Sequence, residues 1–157
     1  MRLSIRTEYA LTAMMDMAYY TLQDKPITTK EIAARTNIPK VYLEQIMSKL
    51  RRGGFVESFR GTKGGYKLSK TLDNMRIGDI VECVEGEINL SSCEDTTDNC
   101  NHSTSCMTKN MWQKVSNRII DTLNELTLAE LYNDFTRHTE SNMTTVFYSI
   151  DKIAVES

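Results

Sequence analysis

Residues 27–68 read ITTKEIAARTNIPKVYLEQIMSKLRRGGFVESFRGTKGGYKL, and this stretch decides the fold. Thr28 stands three residues before Glu31. The threonine hydroxyl and the glutamate carboxylate can therefore each bond a backbone N–H group that the start of a helix leaves without a partner. The pattern predicts a short helix that starts at Thr28 and ends near Arg35.

A longer helix is predicted after a tight turn at residues 36–38. Pro39 suits its first turn, where a missing N–H group costs no helical hydrogen bond, and Gly53 and Gly54 end it. Its apolar residues recur at the spacing of one helical face: Leu43, Ile46, Met47 and Leu50. A short helix, a turn and a longer helix are the arrangement of a helix-turn-helix, although any small helical bundle shows the same apolar spacing.

The opposite face of this longer helix is polar, and we expect it to enter the major groove of DNA. Lysine and arginine on such a face supply phosphate contacts. The residues of this face are Val41, Glu44, Gln45, Ser48 and Arg52, with Lys40 and Lys49 on its flanks.

A basic β-hairpin is predicted directly after the three helices. Residues 55–59 and 66–68 have the composition of two short strands, joined by RGTKGG. Arg60 suits the negative potential of a narrow minor groove, Lys63 adds charge, and glycines such as Gly64 let a loop approach DNA closely. The layout is that of a winged helix, although a hairpin of this kind can also be simply solvated.

A first helix is predicted from about Ile5 to Gln23, ended by Lys25-Pro26. Its core-facing stripe is expected to follow the helical spacing of Leu11, Met14, Met15, Ala18 and Leu22. Asp16 interrupts the apolar run, which is shorter than the roughly 18 apolar residues of a membrane span. No signal peptide is recognisable, so we expect a cytoplasmic protein without membrane contact.

The net charge of −2 hides two halves of opposite sign. Residues 1–80 carry 14 Lys and Arg against 8 Asp and Glu, a balance of +6, whereas residues 81–157 carry 5 against 13, a balance of −8. A basic half is what phosphate contacts require. The charge therefore favours DNA binding by the amino-terminal half alone.

Three of the four cysteines, Cys93, Cys100 and Cys106, lie within fourteen positions. In a reducing compartment such a cluster favours metal or redox chemistry, and thiolates are soft ligands for iron-sulfur clusters, zinc or cuprous ion. The spacing does not match the close pairs of zinc ribbons and is a weak motif by itself. The fourth ligand is left open among His102, Cys83 and Glu8. Cys83 lies among apolar residues, however, and is expected to be a small buried hydrophobic residue.

The carboxyl-terminal half is predicted as a short helix at 76–84, a cysteine loop, a long amphipathic helix and a short helix that starts at Thr127, capped by Glu130. The long helix has an apolar stripe that pairs either with a second copy of the chain or with its own domain: Met111, Trp112, Val115, Ile119, Leu123 and Leu126. The expected organisation is a DNA-binding domain at 1–84, a cluster-binding loop at 85–106, a dimerisation unit at 107–135 and a polar tail at 136–157.

The chain resembles a known family in several long segments. MRLSIRTEYALTAMMDMA at its start, VYLEQIMSKLRRGGFVESFRGTKGGYKL, the three-cysteine loop and CMTKNMWQKVSNRIIDTLNELTLAEL are similar to the Rrf-type winged-helix transcription regulators, most closely to the iron-sulfur cluster regulators among them. The resemblance covers roughly residues 1–132. It implies a mainly α fold with a two-stranded wing, a homodimer with crossing long helices, and a pseudo-palindromic site on double-stranded DNA.

The same resemblance implies the site residues. It places an iron-sulfur cluster, 2Fe-2S or else 4Fe-4S, on the three clustered cysteines, but Lys109 stands where these regulators carry a histidine ligand. Nitric-oxide-sensing relatives use a carboxylate at the position of Glu8, donated by the partner subunit. The base-reading residues of the family fall on Lys40, Tyr42, Glu44 and Gln45, and its wing arginine falls on Arg60. Glutamine suits adenine and glutamate suits the cytosine amino group.

We therefore expect a transcription regulator or repressor that senses cluster status, iron, oxygen or nitric oxide. Two alternatives stay open: a regulator that senses thiols or zinc without a cluster, and an iron-sulfur electron-transfer or assembly protein. An enzyme is not expected, because the two histidines, His102 and His138, have no recognisable nucleophile beside them.

Overall fold

The computed structural model of the chain describes residues 4–20, 25–88 and 109–141. Within these ranges the chain forms six helices and one two-stranded antiparallel sheet. The elements are α1 Ile5–Tyr20, α2 Thr29–Thr36, α3 Lys40–Arg52, β1 Val56–Phe59, β2 Gly65–Leu68, a 3-10 turn Leu72–Asn74, α4 Ile77–Glu85, α5 Lys109–Glu125 and α6 Leu128–Ser141. The predicted mainly α winged helix is confirmed.

The capping box at the start of α2 forms as predicted. The Glu31 N–H donates to the Thr28 hydroxyl at 3.2 Å, and the Thr28 N–H donates to the Glu31 carboxylate at 2.7 Å. Asn37 ends the helix in the left-handed conformation with φ of 57°. The placement of Pro39 in the first turn of α3 was wrong by one residue, because its extended ψ of 131° makes it the residue before the helix.

The buried face of α1 differs from the predicted stripe. Met14 and Ala18 are buried as predicted, but Leu11 and Met15 are only half-buried. The centre of the face is instead formed by small and flexible residues: Thr7, Ala10, Ala13 and Met17. The helix α1 itself carries apolar residues on most of its sides, so their spacing alone could not identify the buried face. The alanines on that face allow neighbouring helices to pack closely. The predicted end at Gln23 and the stripe residue Leu22 lie outside the described residues.

The wing is tied to the helix-turn-helix at its base. β1 and β2 pair in the register Val56 with Leu68 and Phe59 with Gly65. Tyr66 also exchanges two backbone hydrogen bonds with Ile27, of 2.8 and 2.9 Å. Gly65 has φ of 151°, and a Cβ there would lie 2.7 Å from the Ile27 backbone, so only glycine fits this approach. The predicted hairpin is confirmed within one residue at each end.

The carboxyl-terminal helices share the core of the amino-terminal half. Leu128 at the start of α6 is fully buried. The Leu128 N–H donates to the Met75 carbonyl at 2.8 Å, and the Ile77 N–H donates to the Leu126 carbonyl at 2.9 Å. The capping box of Thr127 and Glu130 forms as predicted. However, α6 continues to Ser141, so the predicted boundary at 135/136 cuts a helix and was wrong.

In the part of the chain that the structure describes, no helix combines the length and apolar character that crossing a membrane requires.

Candidate nucleic-acid interface

The helix α3 separates a buried face from an exposed one. The four predicted core residues, from Leu43 to Leu50, are buried. The predicted DNA-contacting residues Lys40, Tyr42, Glu44, Gln45 and Arg52 are exposed, as is Val41, and Ser48 is half-buried. The Lys40 ammonium lies 3.4 Å from the Glu44 carboxylate, one turn along the helix. This exposed ion pair is weak and can open when either group meets a base or a phosphate.

Tyr42 is supported from below by α1. Its ring meets the ring of Tyr9 edge to face, with centroids 6.0 Å apart and planes at 64°. This geometry is favourable for aromatic pairs and limits the orientations of the exposed Tyr42 ring. The sequence pattern did not indicate Tyr9, because a contact between two residues 33 positions apart, on different helices, produces no periodic pattern in the sequence.

The tip of the wing presents Arg60 and Lys63 to solvent, as predicted. Gly64 lies behind them and donates its N–H to the Gly61 carbonyl at 3.0 Å. A Cβ on Gly64 would lie 2.4 Å from the Phe59 carbonyl oxygen, so this position needs glycine for the turn itself rather than only for close approach to DNA. On β1, Ser58 lies 3.5 Å from the guanidinium of Arg51, which links the wing to the end of α3.

Lys49 is the predicted DNA contact that the structure places elsewhere. Its side chain is half-buried, and its ammonium donates to the carbonyl of Val84 in α4. The backbone carbonyl of Lys49 also accepts the Cys83 thiol at 3.3 Å. Lys49 therefore joins α3 to α4 and is not part of the exposed polar face.

The candidate metal ligands fall mostly outside the described residues. Cys93, Cys100, Cys106 and His102 belong to residues 89–108, as does the predicted loop beyond Ile88. Glu8 is exposed on the first turn of α1. Within residues 4–20, 25–88 and 109–141, no three His, Cys, Asp or Glu side chains come together as a metal site.

Cys83 is half-buried between α3 and α4, as expected for a small hydrophobe. Burial raises the pKa of its thiol above the ordinary value, against a smaller opposing effect of the Lys49 ammonium. The thiol donates its proton to a backbone carbonyl and would have to give up that hydrogen bond to act as a metal ligand or nucleophile, which must be a thiolate.

The start of α1 is fixed to the end of α4. The hydroxyls of Ser4 and Thr7 donate to the carboxylate of Glu85, the last residue of α4. Burial opposes ionisation of Glu85, but these hydrogen bonds prevail and lower its pKa. The sequence gives no signal for this contact across 78 and 81 positions.

The apolar stripe of α5 is largely exposed in the single chain. Met111, Trp112, Val115 and Leu126, which directly follows the helix, are exposed, and Ile119 is half-buried. Leu123, the remaining residue of the predicted stripe, packs against the core together with Ile120. Packing on its own domain therefore accounts for only part of this helix.

Comparison with known proteins adds the family to this geometry. The family model Rrf2, described as an iron-dependent transcriptional regulator, matches residues 3–134. The chain belongs to the Rrf2 family. It is 39% identical over 134 residues to the HTH-type transcriptional regulator IscR of Vibrio campbellii, covering 85% of this chain and 79% of that protein. The IscR of Pectobacterium carotovorum is 37% identical over the same length, covering 80% of that protein.

Solved structures of similar proteins have the same architecture. T. potens IscR is 30% identical, covers 95% of this chain and 96% of its own, and superposes with a TM-score of 0.67. CymR, the global cysteine regulator of B. subtilis, is 29% identical, covers 85% of this chain and 97% of its own, and has a TM-score of 0.65. This Rrf2 family member is thus an IscR-like, DNA-binding transcription regulator with a winged-helix fold.

Proposed function

We propose that this regulator binds a pseudo-palindromic DNA site as a homodimer and that an iron-sulfur cluster on its cysteine loop sets its DNA affinity or site preference. The observation that carries the proposal is the pairing of an exposed, polar recognition helix with a separate three-cysteine segment in an IscR-like chain. A DNA-bound regulator of this kind acts in the cytoplasm and performs no catalytic step.

For DNA recognition we assign base contacts to Tyr42, Glu44 and Gln45 on α3. Gln45 can bond adenine through two hydrogen bonds, and Glu44 can accept from the cytosine amino group while disfavouring bases without that donor. Phosphate and minor-groove contacts are assigned to Lys40, Ser48 and Arg52 on α3 and to Arg60, Lys63 and Gly64 on the wing. These residues all belong to the basic half of the chain.

The donor set suits an iron-sulfur cluster. Cys93, Cys100 and Cys106 provide three soft thiolate ligands on one short segment. A cluster bound there would be redox-active and would absorb visible light. For the fourth ligand we rank Glu8 first, because its carboxylate is exposed on α1. His102 follows, and Cys83 comes last because its thiol donates to the Lys49 carbonyl.

The homodimer is assigned to α5. Its exposed stripe of Met111, Trp112 and Val115 is too apolar for a solvated surface and runs along one side of a long helix. A second copy that brings the same stripe would cover it through a two-fold contact. Two recognition helices related in this way would fit a two-fold DNA site.

Metal content tests the cluster. Anaerobically purified wild type should contain iron and acid-labile sulfide and absorb visible light, and Cys100→Ala should lose all three signals. Glu8→Ala and His102→Ala identify the fourth ligand, since only the variant that removes it should change the spectrum. Iron, sulfide and visible absorption that all remain absent after reconstitution would exclude the cluster.

A regulator without a cluster is the second candidate, because a cysteine regulator, CymR, is a structural neighbour at 29% identity. In that case zinc, or reversible thiol oxidation, would replace iron in the same measurement. Fluorescence anisotropy tests DNA binding in either case, with a duplex that the purified protein selects from a randomised library. Loss of binding in Gln45→Ala and Arg60→Ala would contradict an electron-transfer or assembly protein.

A further inference from the structure

Lys49 on the recognition helix α3 forms hydrogen bonds to α4 through both its side chain and its backbone. Its ammonium donates to the Val84 carbonyl. Its own carbonyl accepts both the Cys83 thiol, at 3.3 Å, and the Gly53 N–H, at 2.9 Å. Both the side chain and the backbone of Lys49 therefore contact α4 directly, while the neighbouring polar residues of α3 face solvent.

The end of α4 is a suitable site for the ammonium. Val84 lies in the last turn of α4, where the backbone carbonyls have no partner within the helix. These carbonyls also give the helix end a partial negative charge, which favours a cation. The Lys49 side chain supplies the missing donor and the positive charge together.

The two helices meet without spare room. A Cβ on Gly53, at the end of α3, would lie 2.5 Å from the Cys83 sulfur. The contact of α3 with α4 is therefore close enough that a shift of α4 must move the end of α3, or break the Lys49 contacts.

The helix α4 is also connected to both ends of the cysteine loop. It ends at Glu85, before the first clustered cysteine, Cys93, and α5, which follows the last one, Cys106, packs against it. At this contact the Asn124 side chain lies close to Gly78, because a Cβ on Gly78 would lie only 2.2 Å from the Asn124 side-chain oxygen. The two helices that flank residues 89–108 in the chain, α4 and α5, are therefore in direct contact with each other.

We propose that Lys49 is a positioning residue that couples α4, and through it the cysteine loop, to the recognition helix, and that it makes no phosphate contact. The coupling rests on the proposed function, since it assumes that the loop regulates DNA binding.

The salt dependence of DNA binding tests the first part. Affinity for the selected duplex is measured over a series of salt concentrations for wild type, Lys49→Met and Arg52→Met. Each lost phosphate contact lowers the salt slope by about 0.9. We expect that loss in Arg52→Met and an unchanged slope in Lys49→Met. A reduced slope in Lys49→Met would show a phosphate contact and overturn the assignment.

A double-mutant cycle with Cys100→Ala tests the coupling. In the wild-type background, Cys100→Ala should change the affinity for the duplex about fivefold or more, the usual range of coupling between sites. In the Lys49→Met background this factor should fall toward one, and in Lys49→Arg it should be partly restored. An unchanged factor in Lys49→Met would overturn the coupling.

Two controls distinguish loss of the coupling from the loss of a surface charge and from unfolding. Lys30→Met removes an exposed lysine from α2 and should leave the factor intact. Thermal unfolding of each variant shows whether the fold is retained, and Lys49→Arg keeps the cation if Lys49→Met unfolds. If Cys100→Ala has no effect in the wild type, the loop does not regulate DNA binding and both the proposed sensing and the coupling fail, whereas the salt slope still decides the position of Lys49.

Discussion

The helices α3 and α5 are both amphipathic, but only one of them has its apolar face covered. On α3, Leu43 and Leu50 have no exposed surface. On α5, Met111, Trp112 and Val115 are 48%, 39% and 40% exposed. The same amphipathic pattern therefore occurs in a helix whose apolar face is buried within one chain and in a helix whose apolar stripe is exposed to solvent.

The difference indicates what each outer surface is for. Because the apolar side of α3 is satisfied by α1, α2 and α4, its polar side is free to meet DNA. The helix α5 packs one edge on α4 and leaves its stripe exposed, where the proposed dimer contact would lie. In the proposed dimer, folding and dimerisation would depend on different helices, and substitutions would separate them.

The largest expected effect is on folding, from truncation in α3. Leu43→Ala removes a fully buried side chain and should lower the free energy of unfolding by about 2–5 kcal/mol. Val115→Ala on α5 removes an exposed one and should change the stability of the single chain by less than about 0.5 kcal/mol. Urea denaturation of both variants at low protein concentration makes the comparison, and equal losses would show that α5 is already covered within one chain.

A charge in the α5 stripe should separate dimerisation from folding. Val115→Glu would bury an unpaired carboxylate in the dimer contact, which costs at least about 2 kcal/mol, or a roughly 30-fold weaker dimer. Light scattering should then give the mass of one 18.0 kDa chain instead of two, with an unchanged circular dichroism spectrum. The control is Asn117→Glu, which adds the same charge on the opposite, exposed side. A Val115→Glu protein that remains dimeric would place the dimer contact elsewhere.

The contact between α4 and α5 joins the two regions, and a single methyl group should disturb it. Gly78→Ala places a Cβ 2.2 Å from the Asn124 side-chain oxygen, so α5 or Asn124 must shift. Overpacking of this kind costs about 1–3 kcal/mol. The thermal midpoint of Gly78→Ala should therefore fall, and the double variant Gly78→Ala/Asn124→Ala should recover part of the loss. Asp79→Ala, at an exposed neighbour, should leave the midpoint unchanged.

The sequence predicted most of what depends on local patterns. The capping boxes at Thr28 and Thr127, the buried face of α3 and the two strands of the hairpin all follow from residues close together in the chain. Contacts between distant positions could not be predicted in this way. Lys49 is a basic residue beside the polar face of α3, so the sequence favours a phosphate contact. Only the packing of α4 on α3 shows that the Val84 carbonyl is its partner. The cluster-ligand and dimer assignments remain predictions.

The smallest expected effect compares one capping box from each region. Thr28→Ala at α2 and Thr127→Ala at α6 each remove a hydroxyl that accepts a helix N–H at 3.2 Å and should each cost about 1 kcal/mol at neutral pH. The hydrogen bonds from Thr28 lower the pKa of Glu31, so the stabilisation they give the carboxylate is present above its unfolded pKa and is lost as the pH falls through the folded value. The difference in urea midpoint between wild type and Thr28→Ala should accordingly shrink from pH 7 to about pH 3.5. A difference that stays constant would show that the threonine acts only through its own hydroxyl, without help from the Glu31 charge.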